Sequence, residues 1–292
     1  MALPQGHNDS NTSRRSFLLG CAATAAGIGL YGWGPARNHL TLVRHDVYIP
    51  DLPSAFNGFT IAQLSDFHFG PFNEDKVVKE AVTLVNSLNP QMVALTGDFI
   101  TANHDDNSIN LKNADRCAEA LACLRVPLKF ASLGNHDTID SEGVTAALED
   151  KGISVLRNAH IPLDLRGDRI WIAGLADAMF DHPKPGIALP ISTIDPVIVL
   201  GHEPDYMDTF AEFNAVHKRR CDLFLTGHTH GGQVNLPVLT RMVLPRNGKN
   251  YLQGPFQVGP TLLYVNRGLG TIHLPIRLNA PPEVTLLKLH GI

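Results

Sequence analysis

The chain predicts a layered α/β fold, on three observations. Short apolar runs of strand length alternate with segments of helical periodicity from Phe59 to Lys151. From Ile161 onward the apolar runs continue while the helical patterns thin out, which predicts a second sheet packed on the first. Hydrophobic residues make up 44% of 292 positions, enough for a sizeable buried core.

In chain order, a strand is expected over Phe59–Leu64 and a helix near Glu74–Leu88; a strand over Met92–Thr96 and, after a polar loop, a helix near Asn113–Leu124. A strand over Leu128–Leu133 leads to a helix over Ser141–Lys151. The later runs Ile161–Leu165, Ile170–Ala173, Val197–Leu200, Leu223–Thr226, Leu262–Val265 and Val284–Leu289 read as strands, with a hairpin turn at Gly167-Asp168. Proline and glycine crowd the stretch 237–260, which reads as a long irregular loop.

Residues 1–42 read as an address and 43–292 as one continuous domain without repeats or low-complexity linkers. Ser13-Arg14-Arg15-Ser16-Phe17-Leu18 precedes an uncharged stretch from Phe17 to Gly34. Paired arginines before an apolar run resemble a bacterial twin-arginine export signal, read by the twin-arginine translocase. Export by that route would leave the domain periplasmic or anchored on the outer face of the membrane. Ala23-Thr24-Ala25 offers small residues for cleavage but would leave a short apolar core, while the whole stretch has about the length of a membrane span. Cleavage and retention as an anchor both stay open.

The formal net charge of -4 argues against a nucleic-acid surface built from lysine and arginine. A bound phosphate would have to be held by something else, and metal ions would serve. Four cysteines without CxxC spacing make neither a disulfide framework nor a thiolate metal site.

The chemistry lies in five short clusters: Asp66-Phe67-His68, Gly97-Asp98, Gly134-Asn135-His136-Asp137, Gly201-His202 and Gly227-His228-Thr229-His230. Each ends an apolar run, usually through a glycine. In open α/β sheets ligands gather beyond the carboxyl ends of the strands, so the clusters can converge on one crevice. Asp66 and His68, two apart, point to one side of an extended segment. Carboxylates, an amide and imidazoles together suit Mn, Fe or Zn better than Ca. A carboxylate such as Asp98 can screen two cations about 3.5–4 Å apart. Taken singly, each cluster also reads as a turn, a helix cap or a surface pair; Asp137, for instance, could cap the segment after it. The conjunction in this order is what is specific.

These clusters resemble the motifs of calcineurin-like metallophosphoesterases, over Asp66 to His230. Leu64-Ser65-Asp66 and Thr226-Gly227-His228-Thr229-His230-Gly231-Gly232-Gln233 are similar to exported or membrane-attached bacterial members, some resembling UDP-2,3-diacylglucosamine pyrophosphatases. The resemblance implies a four-layer α/β/β/α sandwich of two mixed sheets flanked by helices. It implies that Asp66, His68 and His230 hold one divalent metal ion, that Asn135, His202 and His228 hold another, and that Asp98 bridges them. His136 would protonate the leaving oxygen, with Asp137 orienting its ring.

The expected function is dinuclear-metal-dependent hydrolysis of a phosphodiester or pyrophosphate bond, on a lipid- or nucleotide-sugar-linked substrate such as UDP-2,3-diacylglucosamine. The alternative is a non-catalytic cell-envelope binding protein with a structural metal site; a spare acid such as His136 weighs against it. Specificity is expected in the loops Phe69–Asp75, Asn103–Asn110 and Asp177–Pro190. Phe67, Phe69 and Phe72 read equally as an apolar wall for a substrate or as core.

Overall fold

A computed structural model describes residues 9–72, 74–236, 240 and 244–292, with side chains from 14 onward. Asn73 of the expected loop Phe69–Asp75, and 237–239 and 241–243 of the expected loop 237–260, lie outside the described residues, as do 1–8. In chain order the elements are α1 (Asp9–Tyr31), β1 (Thr41–Ile49), β2 (Thr60–Leu64), α2 (Asp75–Leu88), β3 (Met92–Thr96), α3 (Asn107–Ala122), β4 (Leu128–Ser132), α4 (Ser141–Asp150) and β5 (Ser154–Val155). They continue with β6 (Ala159–Leu165), β7 (Asp168–Gly174), α5 (Pro185–Ala188), β8 (Val197–Leu200), α6 (Tyr206–His217), β9 (Leu223–Thr226), β10 (Gly254–Val258), β11 (Thr261–Val265) and β12 (Glu283–Gly291).

Two mixed sheets form, in the orders β1-β12-β2-β3-β4-β5 and β10-β11-β9-β8-β7-β6. The strands β2, β3 and β4 run parallel, as do β7, β8, β9 and β11. Ile61, Met92, Ala94 and Phe130 of the first sheet meet Ile172, Ile198, Leu200, Leu223 and Leu225 of the second in a shared core. The first sheet's other face is covered by α2, α3 and α4, through Val78, Val82, Ala118, Leu121 and Leu148. The second sheet's other face is covered by Met207 and Phe210 of α6. Helix, sheet, sheet and helix make the expected four layers.

Helix α2 shows why such a segment folds as it does. Val77, Val78, Ala81, Val82 and Val85 recur at helical spacing and are all buried, while Lys76, Lys79 and Glu80 stay outside. Each fully buried valine contributes about 1.5–3 kcal/mol of hydrophobic stabilisation. Asn89 ends the helix in a left-handed conformation (φ 48°).

The structure departs from the sequence expectations in several places. Helix α3 starts at Asn107 rather than Asn113, because Asp106 caps it by accepting the Ser108 amide. The loop expected over Asn103–Asn110 is therefore partly helical. The hairpin turn lies at Arg166-Gly167, with Asp168 already paired to Leu165; positive φ at both turn residues fits a type I′ hairpin. The stretch 237–260 contains β10, and α6 falls in a region expected to be poor in helix. Only Met207 and Phe210 of α6 are buried, so its apolar stripe is too thin to stand out. The first strand opens at Thr41, upstream of 43.

Helix α1 differs from the others. Its large apolar side chains, Phe17, Leu18, Leu19, Ile28 and Leu30, are all exposed. The stretch Arg14–Ala36 is long and apolar enough to cross a membrane by length and composition.

Candidate metal centre

The expected donors come from two sheets. Asp66 and His68 follow β2, Asp98 follows β3, and Asn135 and His136 follow β4, all at one edge of the first sheet. His202 follows β8, while His228 and His230 follow β9 of the second sheet. Parallel strands put the carboxyl ends of each set at the same edge, and the packing of the sheets brings the two edges together.

Glycines make the approach possible. Gly97 has φ +84°, and a Cβ there would sit 2.6 Å from the Gly134 amide nitrogen and 2.7 Å from His202 Nδ1. A Cβ at Gly227 would collide with Ser65 Oγ and the Asp66 carboxyl. The donors themselves adopt left-handed backbone: Asp66 (φ 51°), His68 (φ 49°), Asp98 (φ 55°), His228 (φ 71°) and His230 (φ 52°). Each such residue costs on the order of 1–3 kcal/mol unless its surroundings enforce it, and strain of this kind collects at functional sites.

The enforcing bonds are present. The amides of Phe67 and His68 donate to the Asp98 carbonyl at 2.8 and 3.0 Å, and the Asp66 amide donates to the Gly97 carbonyl at 3.0 Å. Between the sheets, Gln63 Nε2 donates to the Thr226 carbonyl at 2.9 Å and Ser132 Oγ to the Gly201 carbonyl at 3.0 Å.

The donor atoms converge. Asp66, His68 and His230 place one ligand atom each within 4.8 Å of one another, and so do Asp98, His202 and His228. The Asp98 carboxyl links the groups: its Oδ2 lies 3.4 Å from His68 Nε2 and 3.2 Å from His202 Nε2. Its Oδ1 is held by the His136 amide at 2.9 Å. His68 Nε2 and His230 Nε2 face each other at 3.0 Å. The Asn135 side-chain amide oxygen, Oδ1, is buried without a hydrogen-bond partner.

Ring orientation is set from behind. His202 Nδ1 lies 2.7 Å from the Thr96 carbonyl and His228 Nε2 lies 2.7 Å from the Arg246 carbonyl, so each ring donates outward and turns its other nitrogen inward. His68 Nδ1 lies 3.2 Å from Thr101 Oγ1. Burial pushes His68 down to about 3 and His228 down to about 4, so both are neutral and able to ligate at neutral pH. Burial raises Asp66 to about 6, with His202 opposing and Asp98 adding to the rise. Burial would depress His202, but Asp98 and Asp66 outweigh it and hold the imidazole well above its usual range.

A buried, strained set of two carboxylates, four inward-turned imidazoles and an unpartnered amide oxygen fits divalent cations of the Mn, Fe or Zn kind. Asn135 Oδ1 and His202 Nε2 are both among the buried side-chain atoms without a hydrogen-bond partner, as groups kept for a cation would be.

One expected role changes. Asp137 makes no hydrogen bond to the His136 ring; its carboxyl accepts the amides of Gly134 (2.8 Å), Phe99 (2.9 Å) and Ile100 (3.2 Å). It is fully buried and pins the loops after β3 and β4 together. The His136 ring is positioned instead by the Ala102 amide, which donates to Nδ1 at 3.2 Å. That bond leaves the ring proton on Nε2. Phe67 and Phe69 are core: Phe67 stacks on Phe99 with ring centroids 5.1 Å apart, and Phe69 is fully buried.

Sequence reasoning misses the supports. Gln63, Thr96, Thr101 and Ser132 lie inside or just beyond strands and read as ordinary strand residues. The stretch Asn266-Arg267-Gly268-Leu269-Gly270 follows β11 and repeats the pattern of strand then glycine. Gly270 donates its amide to the Asp66 carbonyl at 2.7 Å. Arg277, fully buried, donates to the carbonyls of Gly270, Arg267 and Ala280 and lies 3.4 Å from His230 Nδ1.

The model of the family described as calcineurin-like phosphoesterase matches residues 59–232. The chain is 33% identical over 293 residues to the uncharacterized metallophosphoesterase YkuE of Bacillus subtilis, covering 95% of this chain and 97% of that one. It is 30% identical over 284 residues to the phosphodiesterase YaeI of Escherichia coli, covering 95% and 99%. It is 29% identical over 309 residues to the UDP-2,3-diacylglucosamine pyrophosphatase LpxG of Chlamydia muridarum, covering 86% and 89%.

Proposed function

The chain belongs to the calcineurin-like phosphoesterase family, and from that premise we propose that it hydrolyses a phosphodiester or pyrophosphate bond with two divalent metal ions. The observation that carries this reading is Asp98, whose one carboxyl oxygen stands within 3.4 Å of imidazole nitrogens from both sheets, between two separate donor groups. Asp66, His68 and His230 would hold one ion, Asn135, His202 and His228 the other, and Asp98 would bridge. When bound, such a pair supplies an activated water and draws charge from the phosphoryl oxygens.

The chain's own groups do the rest. His136 is half-buried, with its ring edge-on to His68 at a centroid distance of 4.9 Å. Its Nε2 proton, fixed by the Ala102 amide at Nδ1, goes to the leaving oxygen as the phosphorus–oxygen bond breaks. Asp137 keeps the loops bearing Asp98 and His136 at a fixed separation. A merely structural metal site needs no such spare proton donor, so the binding-protein alternative loses ground.

The relatives named phosphodiesterase and UDP-2,3-diacylglucosamine pyrophosphatase favour a diester or anhydride over a monoester. The apolar stretch Arg14–Ala36 supports attachment to the inner membrane, and the paired Arg14 and Arg15 support export by the twin-arginine translocase, with the domain on the periplasmic side. The test is hydrolysis of bis-p-nitrophenyl phosphate and of the monoester, with Mn²⁺ and with chelator. Metal-dependent cleavage favouring the diester is expected; equal rates with chelator and with metal would overturn the proposal.

A further inference from the structure

The exit of α1 is built into the site's side of the domain. The Gly32 carbonyl accepts the Arg277 amide at 3.1 Å, and a Cβ on Gly32 would meet Ile276 Cγ2 at 2.6 Å. Ala36 is buried. Arg37 pairs with the buried Glu74 carboxylate at 3.0 Å and donates to the Phe72 carbonyl. Glu74 accepts the Thr271 amide at 3.1 Å and its hydroxyl at 2.6 Å. Thr271 follows Gly270, which is bonded to Asp66, and Arg277 reaches from Gly270 to His230. An unbroken series of contacts thus runs from the apolar helix to two of the metal donors. A slack tether would make none of them.

The outward side of this junction is apolar. Leu274, 59% exposed, lies in the same loop between Thr271 and Ile276. Trp33 and Tyr31, 59% and 57% exposed, mark the end of the helix. Tryptophan and tyrosine at the end of an apolar helix sit at the level of lipid headgroups. The loop that carries the exposed Leu274 is bonded to this same point, through the Arg277 amide to the Gly32 carbonyl.

We infer that residues 32–37 and the loop 268–278 form one platform that rests on the lipid bilayer, and that the ester cleaved is carried by a lipid of that bilayer. The chemistry rests on the phosphoesterase reading above; the orientation does not. Water adds across one phosphorus–oxygen bond, so a lipid-borne diester yields a phosphomonoester and an alcohol, the alcohol taking the departing proton. Any membrane tether raises the effective concentration of substrate; rigid attachment also fixes the orientation of the site toward the bilayer plane, which a loose linker would lose.

The experiment uses the full chain in phosphatidylcholine vesicles with Mn²⁺. Two esters sharing one leaving group are compared: soluble bis-p-nitrophenyl phosphate and a p-nitrophenyl phosphatidyl ester in the vesicle. A flexible Gly/Ser linker of about twelve residues inserted between Tyr31 and Gly32 leaves the Arg37–Glu74 contact in place. The soluble ester should be cleaved as before, while kcat/KM for the lipid ester falls by about tenfold or more. Equal rates on the lipid ester with and without the linker would overturn the inference. Independently, Leu274→Cys in a Cys21→Ser, Cys123→Ser background should resist a membrane-impermeant maleimide in vesicles and react with it in detergent. Equal labelling in both would sink the platform. Hydrolysis of neither ester would remove the phosphoesterase reading and with it the lipid substrate, while protection of residue 274 would still uphold the orientation.

Discussion

The two halves of the candidate metal centre are built differently. The first sheet supplies both carboxylates, the amide, one ligating imidazole and the spare one: Asp66, Asp98, Asn135, His68 and His136. Its loops hold one another through backbone bonds, such as His68 amide to Asp98 carbonyl and His136 amide to Asp98 Oδ1. The second sheet supplies only imidazoles, His202, His228 and His230, and these lean on groups outside their own loops. His202 is turned by the Thr96 carbonyl of the first sheet and His228 by the Arg246 carbonyl, while the His228 amide rests on the Asp66 carboxyl at 2.9 Å. The carboxylate-bearing half is fixed within its own loops; the imidazole half is oriented from outside. Negative charges brought this close repel one another and need rigid support, whereas an imidazole needs only one hydrogen bond to set which nitrogen faces the donors.

The sharpest way to break this comparison is Asp98→Asn, at the joint between the halves. Metal content, read by elemental analysis, should collapse, and turnover should fall by more than the ~10²–10⁴-fold that loss of a proton donor costs. Retention of a full complement of metal would show that the halves do not share this carboxyl.

His136→Ala comes next. It belongs to the first half but holds no metal in the proposed centre. Metal content should be unchanged and turnover lower by about 10²–10⁴-fold. Unaltered activity would strike His136 from the mechanism.

Thr101→Val probes support for an imidazole within the first half. Losing the partner of His68 Nδ1 should weaken metal binding by about 10–100-fold, measured by titration with Mn²⁺. No change would mean that backbone alone orients the first half's ring.

A graded way to test the comparison is pH, worth up to about tenfold in metal affinity per unit for each competing proton. Protons compete with the cation for Asp66, raised to about 6, and for His202, held above the ordinary imidazole range. Affinity should therefore climb from about pH 5 to 7 as the first sheet's carboxyl ionises, and go on climbing above neutrality as the second sheet's ring loses its proton. Equal affinities by calorimetry at both ends would contradict these shifts.

Much of the fold is legible in the residues because it depends on local pattern. Strand runs such as Met92–Thr96 and Val197–Leu200 carry in their residues the boundaries the structure shows, since buried parallel strands are continuous apolar segments. The thin-striped α6 and the strand β10, set among prolines and glycines, are not legible, because their places are fixed by partners distant in sequence. Asp137 illustrates the limit within the site. Its neighbour His136 is adjacent in sequence, yet its carboxyl turns to the amides of Phe99, Ile100 and Gly134, and the backbone of Ala102 supplies the ring's partner.

Residue order alone establishes which side chains could bind metal and that each stands where a strand ends, because strand patterning and glycine placement are properties of short segments. Which atoms face one another across the sheets, which ring nitrogen is free, and the clamping of the segment after α1 beside the donors are settled by packing. Those choices depend on hydrogen bonds between residues far apart in the chain, such as Gln63 to Thr226, Glu74 to Thr271 and Gly32 to Arg277, and no local pattern carries the distance between such residues.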